Sequence, residues 1–458
     1  MSILIETTPE GFASSSPDND GNERDRNSAL PRMIRADGVL APAAPGTVAE
    51  TGLDEHALIE LLLKLINSVP RLTSAWAGQR LCLPEPLIEK LLWQMKQDQL
   101  VEILGQSGQF DYCYTITARG REQALRAMEV CGYIGPAPVS LESYCAMLEQ
   151  QLAQRQGVDL QQVRQALAPI VLPESAVEVA ALAALSQRSL FLFGPPGNGK
   201  TSVARLLHQV LAGQELWIPH CISIDSSIIR IFDPHVHQTI DQTITTDALG
   251  GEQIDRRWVR IRPPLVIAGG EMTMAELDLI FSPSLRFYEA PPHVKANGGT
   301  FIIDDFGRQR VDPHDLLNRW IIPLERQVDY LTLHTGQKLQ IPFRLMLTVA
   351  TNLSVADVAD AAFLRRMGYR LHLETPTPQT WAEIFRRYAE GVGVQVPPGL
   401  IENLLNRYAA EQRELRCSEP RDLIERARDI CRLCRQPFRL DETIVQVAWN
   451  AYFGMTGR

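Results

Sequence analysis

The chain has 458 residues, 45% of them apolar and 22% charged, with a formal net charge of −9. That length exceeds a single compact domain, and the composition is that of a globular chain able to bury a core. The acidic balance argues against a protein that coats nucleic acid or anionic membrane by bulk charge, and no run of about 18 uncharged apolar residues offers a membrane span.

Residues 1–50 are rich in Ser, Pro, Asn, Asp, Gly and Ala without apolar periodicity, and are expected to form a disordered tail. Their start, MSILIETTPEGF, has neither a basic stretch nor a long apolar run, so no signal peptide is read and a cytoplasmic location is expected. Eight scattered cysteines point the same way, to reduced thiols. Cys431 and Cys434 form one CxxC, but no second CxxC or HxxxH completes a zinc site. Two buried cysteines on one helix face suit that spacing better.

From Asp54 apolar residues recur at helical spacing in DEHALIELLLKLINSV. A short and a longer helical stretch follow, then LVEIL and FDYCYTIT alternate like strands around GQSGQ, and ARGREQALRAMEV closes as a helix. This order over 51–134 resembles a winged-helix domain. Residues 51–135 carry 8 Lys/Arg against 10 Asp/Glu, and the presumed recognition helix sets Glu85 and Glu89 against Lys90 and Lys96. A DNA-reading face is normally basic, so protein docking is favoured while DNA stays open. Residues 135–170 read as a Gly/Pro linker with helices, 171–372 as alternating strands and helices expected to form an α/β sandwich with a parallel sheet, and 373–458 as a helical lid.

LFLFGPPGNGKTSVARLLHQVL runs strand, Gly-rich loop, helix. Gly194, Pro195, Pro196, Gly197, Asn198, Gly199, Lys200 and Thr201 match GxxxxGK followed by Ser or Thr, and Ser202 follows on the helix. Glycines let backbone N–H groups wrap phosphates, Lys200 reaches the β- and γ-phosphates, and the Thr201 hydroxyl suits Mg²⁺. About a hundred residues later, GGTFIIDDFGR ends an apolar strand in Asp304 and Asp305. Asp304 suits a role holding Mg²⁺, and Asp305 falls where a water-activating carboxylate is expected.

With further features in order, the chain resembles the AAA+ ATPases over roughly 171–455. Asn352, ending RLMLTVATN, looks like sensor 1. Arg365 and Arg366 in AAFLRRMGYRLHLETPTPQ resemble an arginine finger that completes a neighbouring site. Arg421 in SEPRDLIERARDI resembles sensor 2, touching phosphate. DYLTLHTGQKLQIPF (329–343) looks like the hairpin inserted before sensor 1 in the clade of MoxR-like ATPases, magnesium chelatase and enhancer-binding activators. The resemblance implies binding and hydrolysis of ATP with Mg²⁺, a homo-oligomeric ring (a hexamer), and an unidentified protein substrate. Two alternatives stand beside it: an ATP-dependent DNA-associated factor, and a slow-hydrolysing nucleotide-gated scaffold.

Two departures stand out. The second acidic residue is Asp rather than Glu, and a carboxylate standing off by ~1 Å can cost ~10²-fold. About 85 residues separate the P-loop helix from the Asp304 strand, which points to a loop or hairpin insertion facing a substrate. Within it, His235 and His237 are expected as surface polar residues on one face of a strand rather than metal ligands.

Overall fold

A computed structural model describes residues 29–36, 38–106, 112–211, 213–240, 253–353 and 361–454. The α/β expectation holds. Five strands form one parallel sheet in the spatial order Leu265–Ala268, Thr300–Ile303, Met346–Thr351, Leu190–Phe193, Tyr369–His372. Each is a short apolar run because both faces are covered. Leu190, Leu192, Ile302 and Ala350 pack on one side with the helices Leu160–Leu167, Glu174–Ser186 and Lys200–Gln209. Phe191, Phe301, Ile303 and Val349 face the other side, against the helix Pro313–Arg326 and its buried Trp320.

In the long stretch before Thr300–Ile303, where a loop or hairpin insertion is expected, residues 241–252 lie outside the described residues, and the remainder is built into a β-rich body. It supplies most of a second, mixed five-stranded sheet, ordered Ile280–Ser282, Phe287–Glu289, Ser227–Arg230, Cys221–Ile224, Val139–Ser140. Leu216–Pro219 pairs antiparallel with Trp258–Ile261 beside it. Ile222, Ile229, Trp217, Trp258 and Tyr288 share one apolar core there. Strand Val139–Ser140 comes from the segment expected as a linker, so that segment is bound into the fold.

The expected tail is also corrected in part. Residues 1–28 lie outside the described residues, but Met33–Ala36 and Val39–Pro42 form an antiparallel hairpin. Ile34, Ala41 and Ala43 sink into the same core as the second sheet, and this burial offsets the ordering entropy of the segment.

Residues 55–130 fold as helices Glu55–Asn67, Ser74–Leu81 and Glu85–Gln97, a hairpin of Val101–Gln106 with Tyr112–Ile116, and the helix Ala118–Val130. Leu58, Leu62, Leu65, Leu91 and Met95 fill its core. A buried pair ties the segments on either side of this unit to the residues leading into Trp258–Ile261. Arg257 holds Asp255 at 2.8 Å and donates Nη1 to the carbonyls of Thr51 (2.7 Å) and Pro138 (3.3 Å).

The hairpin expected at 329–343 is present as Val328–Thr332 and Lys338–Pro342. It is not a free arm: Leu331, Leu333, Leu339 and Ile341 are buried in the second sheet's core. Its tip is docked as well. His334 stacks on Phe281 at 4.3 Å and meets the Tyr288 hydroxyl, and Gln337 donates to Asp225 at 3.1 Å.

His235 and His237 lie in a turn, not a strand. His235 is exposed, but His237 is buried, its Nδ1 accepting from the Asp233 amide at 2.9 Å, which corrects the surface expectation for that residue. Cys431 is buried and Cys434 exposed, so the CxxC does not place two thiols in one core. Among the described residues no group of His, Cys, Asp and Glu is arranged to hold a metal ion, and no helix is long and apolar enough to cross a membrane.

The C-terminal helices Pro378–Gly391, Leu400–Ala410, Glu419–Leu433 and Glu442–Phe453 close around Trp381, Phe385, Tyr408 and Trp449, a core of their own.

Candidate nucleotide-binding site

The site lies at the carboxyl end of the parallel sheet, where neighbouring strand ends leave a crevice. Leu190–Phe193 delivers the loop 194–199, and the helix Lys200–Gln209 follows it. Gly194 has φ 135°, and a Cβ there would collide with the Leu373 carbonyl. Gly197 has φ 81°, and a Cβ would stand 2.8 Å from the Ser418 hydroxyl. Both positions therefore need glycine. Among the described residues nothing accepts from the amides of Gly197, Asn198 and Gly199. A row of N–H donors at a helix N-terminus is an anion cradle. Pro196 and Ser202 are exposed and make no contact that defines the site.

Lys200 is 7% exposed, and its Nζ donates to the carbonyls of Gly194 and Pro195, each at 2.8 Å. Burial lowers its pKa, while Asp305 and Asp304 pull it back up. An ammonium held on main-chain carbonyls over a donor-rich loop is a charge placed for an anion. Thr201 Oγ1 donates to the Asp304 carboxylate, 2.9 Å from each oxygen. Residues 103 apart in sequence thus bring together the hydroxyl and carboxylate that Mg²⁺ binding calls for. This donor set is all oxygen and carries one negative charge, which fits that ion.

Asp305 explains its own departure from Glu. Its φ is 49°, in the left-handed region, where Asp is among the few non-glycine residues commonly found. Its amide donates to Asp304 Oδ1 at 3.0 Å, and Asn352 Nδ2 donates to Asp305 Oδ1 at 3.0 Å. The turn is braced further by residues not singled out in the sequence. Gln309 donates to the Asp304 carbonyl (2.9 Å) and accepts from Gly307 (2.8 Å), and Thr351 donates to the Phe306 carbonyl (2.7 Å). The signal for Gln309 is present in DDFGRQR, where a Gln four residues past Asp305 can fold back on the turn.

The arginines divide. Arg366 pairs with Glu325 at 3.1 Å, whereas Arg365 is exposed. Arg421 stands near the start of Glu419–Leu433, whose leading residues touch the loop, but its guanidinium is turned onto Asp422 at 3.0 Å. Lys200, Thr201, Asp304, Asp305 and Asn352 are gathered at one place, while Arg365, Arg366 and Arg421 are not part of that cluster.

Residues 377–451 match a family model described as a domain of unknown function (DUF8689), which covers the C-terminal helices. No curated protein matches the chain. Among solved structures, the Holliday junction branch migration motor RuvB of Thermotoga maritima is 16% identical, covering 61% of this chain and 70% of that one with a TM-score of 0.35. NtrX from Brucella abortus, in complex with ATP, is 12% identical, covering 73% of this chain and 67% of that one with a TM-score of 0.36. Scores of this size leave the function to be read from the site's own geometry.

Proposed function

We propose that this chain is an AAA+ protein that binds and hydrolyses ATP and couples hydrolysis to remodelling of a protein partner. The observation that carries the reading is the convergence of Thr201 and Asp304 beside Lys200 and a row of free loop amides. Thr201 and Asp304 are the residues that would hold Mg²⁺, which would supply charge neutralisation at the phosphates. Lys200 moves from its carbonyl partners to the phosphates, and the amides of 197–199 orient them. Asn352 fixes the Asp305 carboxylate, which accepts the proton of the attacking water.

A parallel sheet ordered with the loop strand between Met346–Thr351 and Tyr369–His372, followed by a separate helical unit, supports the family reading and the role of 373–458 as a lid. Arg365, exposed, is the better finger for a neighbouring subunit in a ring, which we take as a hexamer. Arg366 is engaged with Glu325 within its own chain. We read 51–134 as a winged-helix domain that docks protein. On the presumed recognition helix Trp93 is 55% exposed with Lys96 over its ring at 4.6 Å, and Glu85 accepts from Ser74 at 3.0 Å. An exposed aromatic among mixed charges favours a protein surface over a phosphate backbone. The spread of cysteines favours a cytoplasmic setting.

Calorimetric titration of the full chain with MgATP tests the reading. Lys200→Ala should abolish tight binding; affinity equal to that of the unaltered chain would remove the site assignment.

A further inference from the structure

The phosphate loop is tied to the C-terminal helical unit by one side chain, Asn198, and by one main-chain bond beside it. Asn198 is 4% exposed. Its Nδ2 donates to the carbonyls of Glu374 (3.1 Å) and Leu373 (3.5 Å), and its Oδ1 accepts from the Cys417 amide (3.4 Å). Beside it, the Ser418 amide donates to the Gly197 carbonyl at 2.9 Å. Leu373 and Glu374 lead from the edge strand into Pro378–Gly391, the first helix of the unit. Cys417 and Ser418 immediately precede Glu419–Leu433, the helix that packs against the last one. One buried amide group therefore holds both the entry to the helical unit and its return to the loop.

The geometry leaves Asn198 little other purpose. Both of its amide protons are used on main-chain carbonyls, so none remains for a phosphate. Its backbone belongs to the row of loop amides with no acceptor. Whatever draws those amides inward also draws on the three side-chain contacts. Two of them, at 3.4 and 3.5 Å, are long for hydrogen bonds and have room to shorten.

We propose that Asn198 is a positioning residue that passes closure of the phosphate loop on a nucleotide to the C-terminal helical unit, setting that unit's angle to the sheet. This rests on the nucleotide-binding reading above. Coupling of this kind needs contiguous contacts between the element that senses and the element that moves, and here the path is one residue long.

Hydrogen exchange of the full chain, with and without MgADP, tests it. In the unaltered chain MgADP should slow exchange at Cys417 and in the first turn of Pro378–Gly391 by about fivefold or more, the effect of strengthening one neutral hydrogen bond. Asn198→Leu keeps the volume and removes every polar contact. Compared at saturating MgADP, the slowing at Cys417 should disappear, while Ser418, whose amide donates to the Gly197 carbonyl, is not expected to lose its bond. Asn198→Asp keeps the acceptor and loses both donors, so the slowing at Cys417 should persist while that in the first turn of Pro378–Gly391 is lost. This split carries the test alone if the leucine variant does not fold. Slowing retained at Cys417 in Asn198→Leu overturns the proposal. So does equal loss at both places in Asn198→Asp, because the effect would then be packing. An unaltered chain that fails to bind MgADP by calorimetry sinks the nucleotide reading itself and is told apart by that measurement.

Discussion

Removal of one carboxylate, by Asp329→Asn, should loosen the hairpin Val328–Thr332/Lys338–Pro342 without touching the nucleotide site. Asp329 is 2% exposed and accepts from His293 Nε2 at 2.7 Å and from both Arg319 guanidinium nitrogens at 2.6 and 2.7 Å. Burial alone would push its carboxyl up, but the hydrogen bonds from His293 and Arg319 outweigh it and hold the group at about 2. The drop from 3.8 corresponds to roughly 2 kcal/mol of preference for the charged form. Breaking a buried pair from one side costs ~3–5 kcal/mol in general, so an isosteric amide should cost ~2–4. Because the folded value is depressed, this contribution is present above pH ~4 and is lost as pH falls towards 2. If the hairpin opens locally, its amides should exchange ~30–1000 times faster at neutral pH. Amides of Glu419–Leu433, in a separate core, serve as the internal control and should be unchanged. A hairpin rate altered less than about threefold would show that the Arg319–Asp329–His293 cluster does not hold it.

Other outcomes follow from the same geometry. Arg365→Ala should cut steady-state ATP turnover by ~10³-fold or more with MgATP affinity kept, and Arg366→Ala should do much less. Equal losses would place the finger elsewhere. Asp305→Glu puts a longer side chain at φ 49°, costing ~1–2 kcal/mol of backbone strain, so turnover should stay level or fall; a sharp rise would favour the nucleotide-gated scaffold. Burial lowers the pKa of four imidazoles: His208 and His220 to about 4, and His237 and His293 in the same direction. The unfolded chain then binds more protons below pH ~6.5, so the thermal midpoint should fall from pH 6.5 to 5, and a flat midpoint would contradict their burial.

Much of the site was legible because its chemistry demands residue types. Only glycine suits Gly194 and Gly197, and a hydroxyl after Lys200 with an acidic strand end points to a cation site. The parallel sheet was legible because strands covered on both faces must be apolar throughout, as Leu190–Leu192 and Phe301–Ile303 are. The second sheet was not. Its strands are three or four residues long or shorter, several carry polar residues, and they pair across long sequence distances, as Val139 does with Ile222. No local period reveals such a partner. The hairpin at 33–42 was hidden for a related reason. Its apolar residues are few, and their burial depends on Trp217 and Ile254, far along the chain, as in the bridge between Ala43 and Ile254. Asp305 differs in the opposite way: the sequence shows a side chain shorter than Glu but not the left-handed backbone, φ 49°, that favours it.

The burial of the hairpin changes how any motion would leave the nucleotide site. A free arm would move against its surroundings, but here both strands are set in the second sheet's core and the tip is held by Tyr288, Phe281 and Asp225. The route from the site runs through the turn after Asp305 into Pro313–Arg326, and from Arg319 to Asp329 at the hairpin's root. Arg257 then binds the same β-rich body to the start of the N-terminal unit. Hairpin, second sheet and N-terminal unit are therefore expected to move as one piece. A short cross-link between cysteines placed at Gln337 and Asp225, with the exposed Cys434 replaced by serine, distinguishes the two pictures. Locking the tip to the sheet should leave ATP turnover within about twofold, because nothing that moves in the cycle is joined to anything that stays still. Turnover lost on cross-linking and restored on cleaving the link would mean that the hairpin slides over the sheet, and movement as one piece would have to be abandoned.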